Sequence, residues 1–267
     1  MNILSNKPSV TIEQCRVWIK NKKSAHKLAV ENIDILYNCA VERGIEPSIL
    51  ISQCMVETGF FKFGGVLDAS FHNTCGLKTT KGGSDYAASA HMRFSSWKEG
   101  INAHADHLAL YAGAKGFPKY SPHTKGYPNE KYKHNGTTKD PRHFTYLYGS
   151  CKTVEGLSGK WATDKKYAQT ILKFVKEIQN TKVGNENISN EKNNNKYSNG
   201  TYNKKGRVTA GSLNIRKGRP GTDGYKTIVG QYKKGEVVVV KYCLNNWFGV
   251  IYKGEQAYIC GDYIELL

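Results

Sequence analysis

Residues 181–203, TKVGNENISNEKNNNKYSNGTYN, constrain the architecture more than any other stretch of the chain. Asn dominates them, with Gly and Ser, and almost nothing in them can enter a core, so they read as a flexible linker. The hydrophobic period changes across this segment. Before it, ILKFVKEI at 171–178 is apolar at 171, 172, 174, 175 and 178, the spacing of a helix that buries one face. After it, glycines punctuate short β-branched runs at 237–240, 248–252 and 257–259, with a period near two. The expected fold class is therefore α+β: a mainly helical domain over 1–180, the linker over 181–203, and a small all-β module over 204–267.

Within the first domain the spacing predicts helices over 11–21, 27–43, 47–57, 97–111 and 165–179. The third has a Pro in its first turn and Gly59 just past its end, which are start and stop signals. Between Gly76 and Phe94 the pattern breaks at Gly82, Gly83 and Ser84, giving room for a short hairpin or an irregular lobe. Residues 112–149 have little periodicity, and loops of that length in compact domains are usually functional. With neighbouring Tyr111, they bring Phe117, Tyr120, Tyr127, Tyr132, Tyr146 and Tyr148, flat faces that suit pyranose rings or rim packing equally well.

Composition narrows the class. Hydrophobic residues at 39% and charged residues at 23% are ordinary for a globular protein, which removes collagen-like and disordered chains. The longest aliphatic run, Val237 to Val240, is far short of the roughly 20 residues that cross a bilayer, so no membrane insertion is expected. The N-terminus has neither the basic start nor the apolar stretch of a signal peptide, which predicts synthesis in the cytoplasm and action after release. Seven cysteines without a CxxC pair fit small buried hydrophobes rather than a disulfide framework or a zinc ribbon, although Cys243 and Cys260 could approach each other in a small barrel. The net charge of +17 calls for an anionic partner. It comes from 32 Lys and only 7 Arg, spread as +10, +1 and +6 over residues 1–180, 181–202 and 203–267. Base reading and bidentate phosphate contacts favour Arg, and no stripe is formed, so a diffuse anionic wall suits the charge at least as well as a nucleic acid.

Glu57 is the most informative residue. At 100° per residue it lies about 20° from Leu50 and about 60° from Cys54, on the edge of an apolar stripe. Partial desolvation there raises a carboxyl pKa, as a general acid near neutral pH requires. Taken alone, such a Glu more often leans into solvent.

Its surroundings alter that balance. GIEPSILISQCMVETGF at 44–60 resembles the catalytic helix of lysozyme-like peptidoglycan hydrolases: a Pro start, an apolar helix with a central Gln, then Glu-Thr-Gly. NTCGLK at 73–78 is similar to the N-x-x-G-I/L-K element of the glucosaminidases of glycoside hydrolase family 73. RFSSWKEGINAHADH at 93–107 resembles their aromatic-Ser helix, and WATDKKYA at 161–168 their Y-A-T-D-P-x-Y-A element, with Trp161 for Tyr and Lys165 for Pro. Four elements in the family's order form a specific signal, where each alone is weak.

By position, the resemblance implies that Glu57 protonates the departing glycosidic oxygen. It implies that Tyr167 stabilises charge near the anomeric carbon or holds the substrate's acetamido group. Asn73, Phe94, Trp161 and Asp85 are the expected substrate contacts, and neither metal nor cofactor is expected. Many members carry a second acid in the lobe, where this chain has only Asp85 between Leu77 and Phe94, so assistance by the substrate's N-acetyl group is the favoured mechanism. Residues 206–267 resemble a bacterial SH3-type (SH3b) wall-binding barrel through Leu213-Asn214-Ile215-Arg216, Gly230, Trp247, Gly254 and Tyr258. Trp247 fits a core position or a ligand platform equally.

The expectation is a monomeric endo-β-N-acetylglucosaminidase on a lysozyme-like fold with a wall anchor, in the setting of a phage endolysin or a leaderless autolysin. Its partner is bacterial peptidoglycan rather than nucleic acid. A muramidase or lytic transglycosylase is the enzymatic alternative, and a non-catalytic wall-binding protein the other class. His104 and His107, three apart on one helix, allow a zinc amidase, but no HExxH or tight ligand spacing supports it. A Cys–His hydrolase is weaker, because Cys54 falls on the apolar stripe.

Overall fold

A computed structural model describes residues 1–124, 136–183, 195–220 and 224–267. The chain divides into two compact units, Met1–Val183 and Gly184–Leu267. Residues 184–194 of the expected linker, and Tyr127 and Tyr132 of the aromatic segment, lie outside the described residues.

Among the described residues the first unit holds five α-helices: α1 (Ile12–Lys20), α2 (Lys27–Glu42), α3 (Pro47–Thr58), α4 (Trp97–Ala112) and α5 (Tyr167–Gln179). Their starts follow from local chemistry. Thr11 and Gln14 form a reciprocal capping box at α1, Ser96 caps α4, and Pro47 opens α3 without losing a needed donor. α3 is the central helix, and of its residues only Val56 and Glu57 escape full burial. Where the periodicity suggests one buried stripe, the helix is covered nearly all round, as a helix with Ile49, Leu50, Ile51, Cys54 and Met55 must be. α2 and α5 both pack on it.

A buried ion pair fixes α4 relative to α2. Arg43, at the C-cap of α2, donates from Nε to Asp106 of α4 at 2.6 Å, and Lys119 reaches the same carboxylate at 3.1 Å. Asp140 accepts from His107 Nδ1 at 2.8 Å and His143 Nδ1 at 2.9 Å, so the irregular segment after α4 is tied back to it by buried polar contacts. The lobe between Gly76 and Phe94 is irregular: one isolated bridge joins Lys78 to His91, and a single 3₁₀ turn covers Ala88–Ala90.

Among the described residues the second unit holds seven strands: β1 (Gly200–Val208), β2 (Ser212–Arg216), β3 (Ile228–Lys233), β4 (Val237–Leu244), β5 (Trp247–Tyr252), β6 (Glu255–Cys260) and β7 (Ile264–Leu266). The pairs are antiparallel in the order β3-β2-β6-β5-β4-β1-β7. Among the described residues no ladder joins β3 to β7, so the sheet is open where a closed barrel was expected. Its core gathers the alternating Leu213 and Ile215, Val238 and Val240, Phe248 and Val250, with Ile259 and Ile264. Residues 200–203 are strand rather than linker, because Tyr197 and Tyr202 pack their rings on Phe248 at 4.9 and 5.2 Å. Trp247 is half-buried against Tyr225, with ring centroids 5.6 Å apart, and Cys243 and Cys260 are free thiols.

Candidate active site

Glu57 sits one residue before the end of α3, where the helix gives way to an unusual turn. Gly59, Phe60 and Phe61 all adopt left-handed backbone angles, with φ of 56°, 60° and 59°, and Phe63 follows at 60°. For phenylalanine this is a costly conformation that persists only where surrounding contacts enforce it. Thr58 and Phe61 supply those contacts. The Thr58 hydroxyl donates to the Cys54 carbonyl at 2.7 Å and accepts from the Phe61 amide at 2.9 Å, while the buried Phe61 ring packs on Trp97 at 5.1 Å. The sharp reversal brings Phe63, Gly65, Val66 and Leu67 round to line a cleft with Glu57. Asn73, Gly76, Asp85 and His91 line it as well.

Two donors converge on one carboxylate oxygen. Trp161 Nε1–H donates to Glu57 Oε1 at 2.9 Å, and the Tyr167 hydroxyl donates to the same oxygen. Oε2 has no protein partner among the described residues. Burial raises the Glu57 pKa above the ordinary carboxylate value, and the bonds from Tyr167 and Trp161 oppose that shift without cancelling it. The result is a carboxyl held by one oxygen, protonated to higher pH than a surface Glu, with its second oxygen left for the cleft.

Behind Tyr167 the polar contacts continue into the interior. Its hydroxyl accepts from Gln53 Nε2 at 3.0 Å, Gln53 Oε1 lies 3.2 Å from His104 Nε2, and His104 Nδ1 lies 3.1 Å from the Thr74 hydroxyl. Gln53, His104 and Thr74 are fully buried. Burial lowers the His104 pKa to about 3, so the imidazole is neutral.

The residues expected at the site are placed unequally. Glu57, Tyr167 and Trp161 come together. Asp85 stands on the cleft wall but is largely exposed and paired with Lys78 at 2.5 Å, which holds its carboxyl below the usual range. Asn73 borders the cleft with its side chain already committed: Nδ2 donates to the Leu77 and Met92 carbonyls, and Oδ1 accepts from the Leu77 amide, all within 3.0 Å. It staples the loop, which corrects its expected use as a substrate contact. Phe94 likewise offers no face to a ligand, being buried with Cys75, Leu77 and Ala103 beneath Trp161 and Met92. His104 and His107 are spent on Gln53, Thr74 and Asp140, and among the described residues no three His, Cys, Asp or Glu side chains are grouped to hold a metal. The functional histidine and glutamine contacts escape motif reading. Gln53 is one turn before Glu57 in a largely apolar helix, and its partner on α4 is set only by packing.

Residues 33–180 match the model of the glucosaminidase family, described as mannosyl-glycoprotein endo-beta-N-acetylglucosaminidase. An uncharacterized protein of Borreliella burgdorferi is 30% identical over 148 residues, covering 54% of this chain. The chain spans about 60% of that relative's length. Among solved structures, the catalytic domain of the autolysin Auto from Listeria monocytogenes aligns with 66% of this chain and 88% of its own, at 19% identity and a TM-score of 0.30.

Proposed function

The chain belongs to the glucosaminidase family, and from that premise we propose that it hydrolyses the glycan strand of bacterial peptidoglycan at the GlcNAc-β-1,4-MurNAc bond, with Glu57 as general acid. The observation that carries this reading is the state of Glu57, desolvated at a cleft wall with Oε1 fixed by Trp161 and Tyr167. A proton on Oε2 passes to the glycosidic oxygen as the bond from C1 to that oxygen breaks. Asp85, exposed to solvent and held by Lys78, is poorly suited to act as a covalent nucleophile. The carbonyl oxygen of the substrate's own acetamido group therefore closes on C1, forming a cyclic oxazolinium ion. Water then opens the ring: its oxygen bonds to C1, one proton returns to Glu57, and the acetamido group is restored. Tyr167 is buried on Glu57 and Gln53, which favours a role through the acid over direct contact with the sugar.

The open β unit acts as an SH3b-type wall anchor in this reading, and the protein works at the wall as an endolysin or autolysin. Its basic charge suits an anionic wall. Mass spectrometry of digested, borohydride-reduced peptidoglycan tests the bond assignment. Reduced GlcNAc ends are expected. Reduced MurNAc ends would make the enzyme a muramidase, anhydro ends a lytic transglycosylase, and undigested walls a binding protein.

A further inference from the structure

We infer that Thr74, His104 and Gln53 are positioning residues, a directed chain of hydrogen bonds that commits the single hydroxyl hydrogen of Tyr167 to Oε1 of Glu57 and so leaves Oε2 to carry the transferable proton. The inference deepens the reading of Glu57 as the acid and rests on it.

The direction of the chain follows from counting donors. Tyr167 has one hydrogen, and it goes to Glu57, so its oxygen must be met by a donor, which is the Gln53 NH₂ group. The Gln53 oxygen then faces α4 and needs a donor in turn. Neutral His104 supplies it only in the tautomer protonated on Nε2, where Nδ1 is an acceptor for the Thr74 hydroxyl. In the other tautomer the Thr74 hydrogen has no acceptor among the described residues, and the Nε2 lone pair meets the Gln53 oxygen. The amide would then turn over and present its oxygen to Tyr167, which would draw the hydroxyl hydrogen away from Glu57. All members of the chain are buried, where an unmatched donor or acceptor is costly. Trp161 covers the same imidazole, with ring centroids 5.8 Å apart, so both donors to Oε1 are braced by one side chain.

Two measurements test this. Nitrogen-15 NMR of the intact protein should show His104 neutral and protonated on Nε2 from pH 5 to 8. A proton on Nδ1, or titration within that range, overturns the inference whatever the activity. Separately, Thr74→Val should lower kcat about five- to tenfold with KM unchanged and move the high-pH limb of the activity profile upward, because Glu57 loses a donor that lowers its pKa. Thr74→Ser, which keeps the hydroxyl, should stay within about twofold of the wild type. A folded Thr74→Val enzyme with wild-type kcat and limb, or a Ser variant as impaired as Val, also overturns it. Failure of the general-acid reading shows differently, as lysis that survives Glu57→Gln, so the two are told apart.

Discussion

The indole N–H of Trp161 donates to the same oxygen of Glu57 that receives the Tyr167 hydroxyl, so the two residues of the WATDKKYA element serve one acid from two sides. Trp161 replaces a Tyr of the family pattern, and its ring also meets His104, His107 and Tyr111 at 5.0–5.8 Å. Its hydrogen bond lowers the Glu57 pKa against the effect of burial. In Trp161→Phe the packing is largely kept and the donor is lost. The high-pH limb of activity should move upward and kcat fall about tenfold, the size of one charge-assisted hydrogen bond. A pH–rate series on soluble glycan measures both, and an unmoved limb would detach Trp161 from the acid.

Glu57→Gln should abolish lysis while strengthening the fold at neutral pH. The amide oxygen can take the place of Oε1 under Trp161 and Tyr167, but the group has no proton to give, and a placed general acid contributes about a hundred- to ten-thousand-fold. For stability the sign is fixed by the raised pKa. The folded protein holds the Glu57 proton more tightly than the unfolded chain, so stability is full below about pH 4.3 and declines as pH rises through the folded value. The Gln variant lacks that decline. Its melting temperature should exceed the wild type's at pH 7 and not at pH 4, and equal differences at both would remove the link to ionisation.

Asp140 is predicted to hold the irregular segment in place. Burial opposes its charge, but His107 and His143 outweigh that and keep its pKa far below the ordinary carboxylate range. Its contribution is therefore present above about pH 3.9 and is lost only as pH falls towards the lowered value. In Asp140→Asn one oxygen becomes an NH₂ group that faces either the two imidazole N–H groups or the Arg142 amide, both donors. Breaking a buried charge contact costs about 3–5 kcal/mol. Urea unfolding at pH 7 should show a loss in that range, and a loss under about 1 kcal/mol would show that the segment is held elsewhere.

What the sequence made legible was local. Helix periods, Pro47, Gly59 and the change of period near residue 200 are written in consecutive residues, and all five helices lie within two residues of their expected bounds. Glu57, Trp161 and Tyr167 were reachable because each occupies a spaced motif. Asn73 and Phe94 sit in motifs too, yet one staples a loop through Leu77 and Met92 and the other fills a core with Cys75, Leu77 and Ala103, a distinction set by how the loop packs rather than by the motif itself. The His104–Gln53 contact joins positions 51 residues apart, and no local pattern encodes it. The open β unit differs from the expected barrel for the same reason. Alternation fixes which residues face inward, while closure depends on whether two distant edges meet.

The two units make a final prediction about targeting. Met1–Val183 contains its own core and every residue assigned to the acid, so a chain ending at 183 should fold and hydrolyse soluble glycan fragments. On intact walls it should be much weaker than the full chain, because the wall anchoring proposed for the β unit would hold the enzyme beside an immobile substrate and raise its effective concentration. Charge complicates the comparison. The helical unit is basic by itself, and electrostatic attraction alone can keep it on an anionic wall at low ionic strength. Salt well above physiological strength shortens the screening length to a few ångströms and removes that attraction, while contacts made by a binding site persist. The two forms should therefore differ most in high salt, measured as the rate of turbidity loss on purified walls. Equal lysis under those conditions would show that residues 184–267 are not the targeting device.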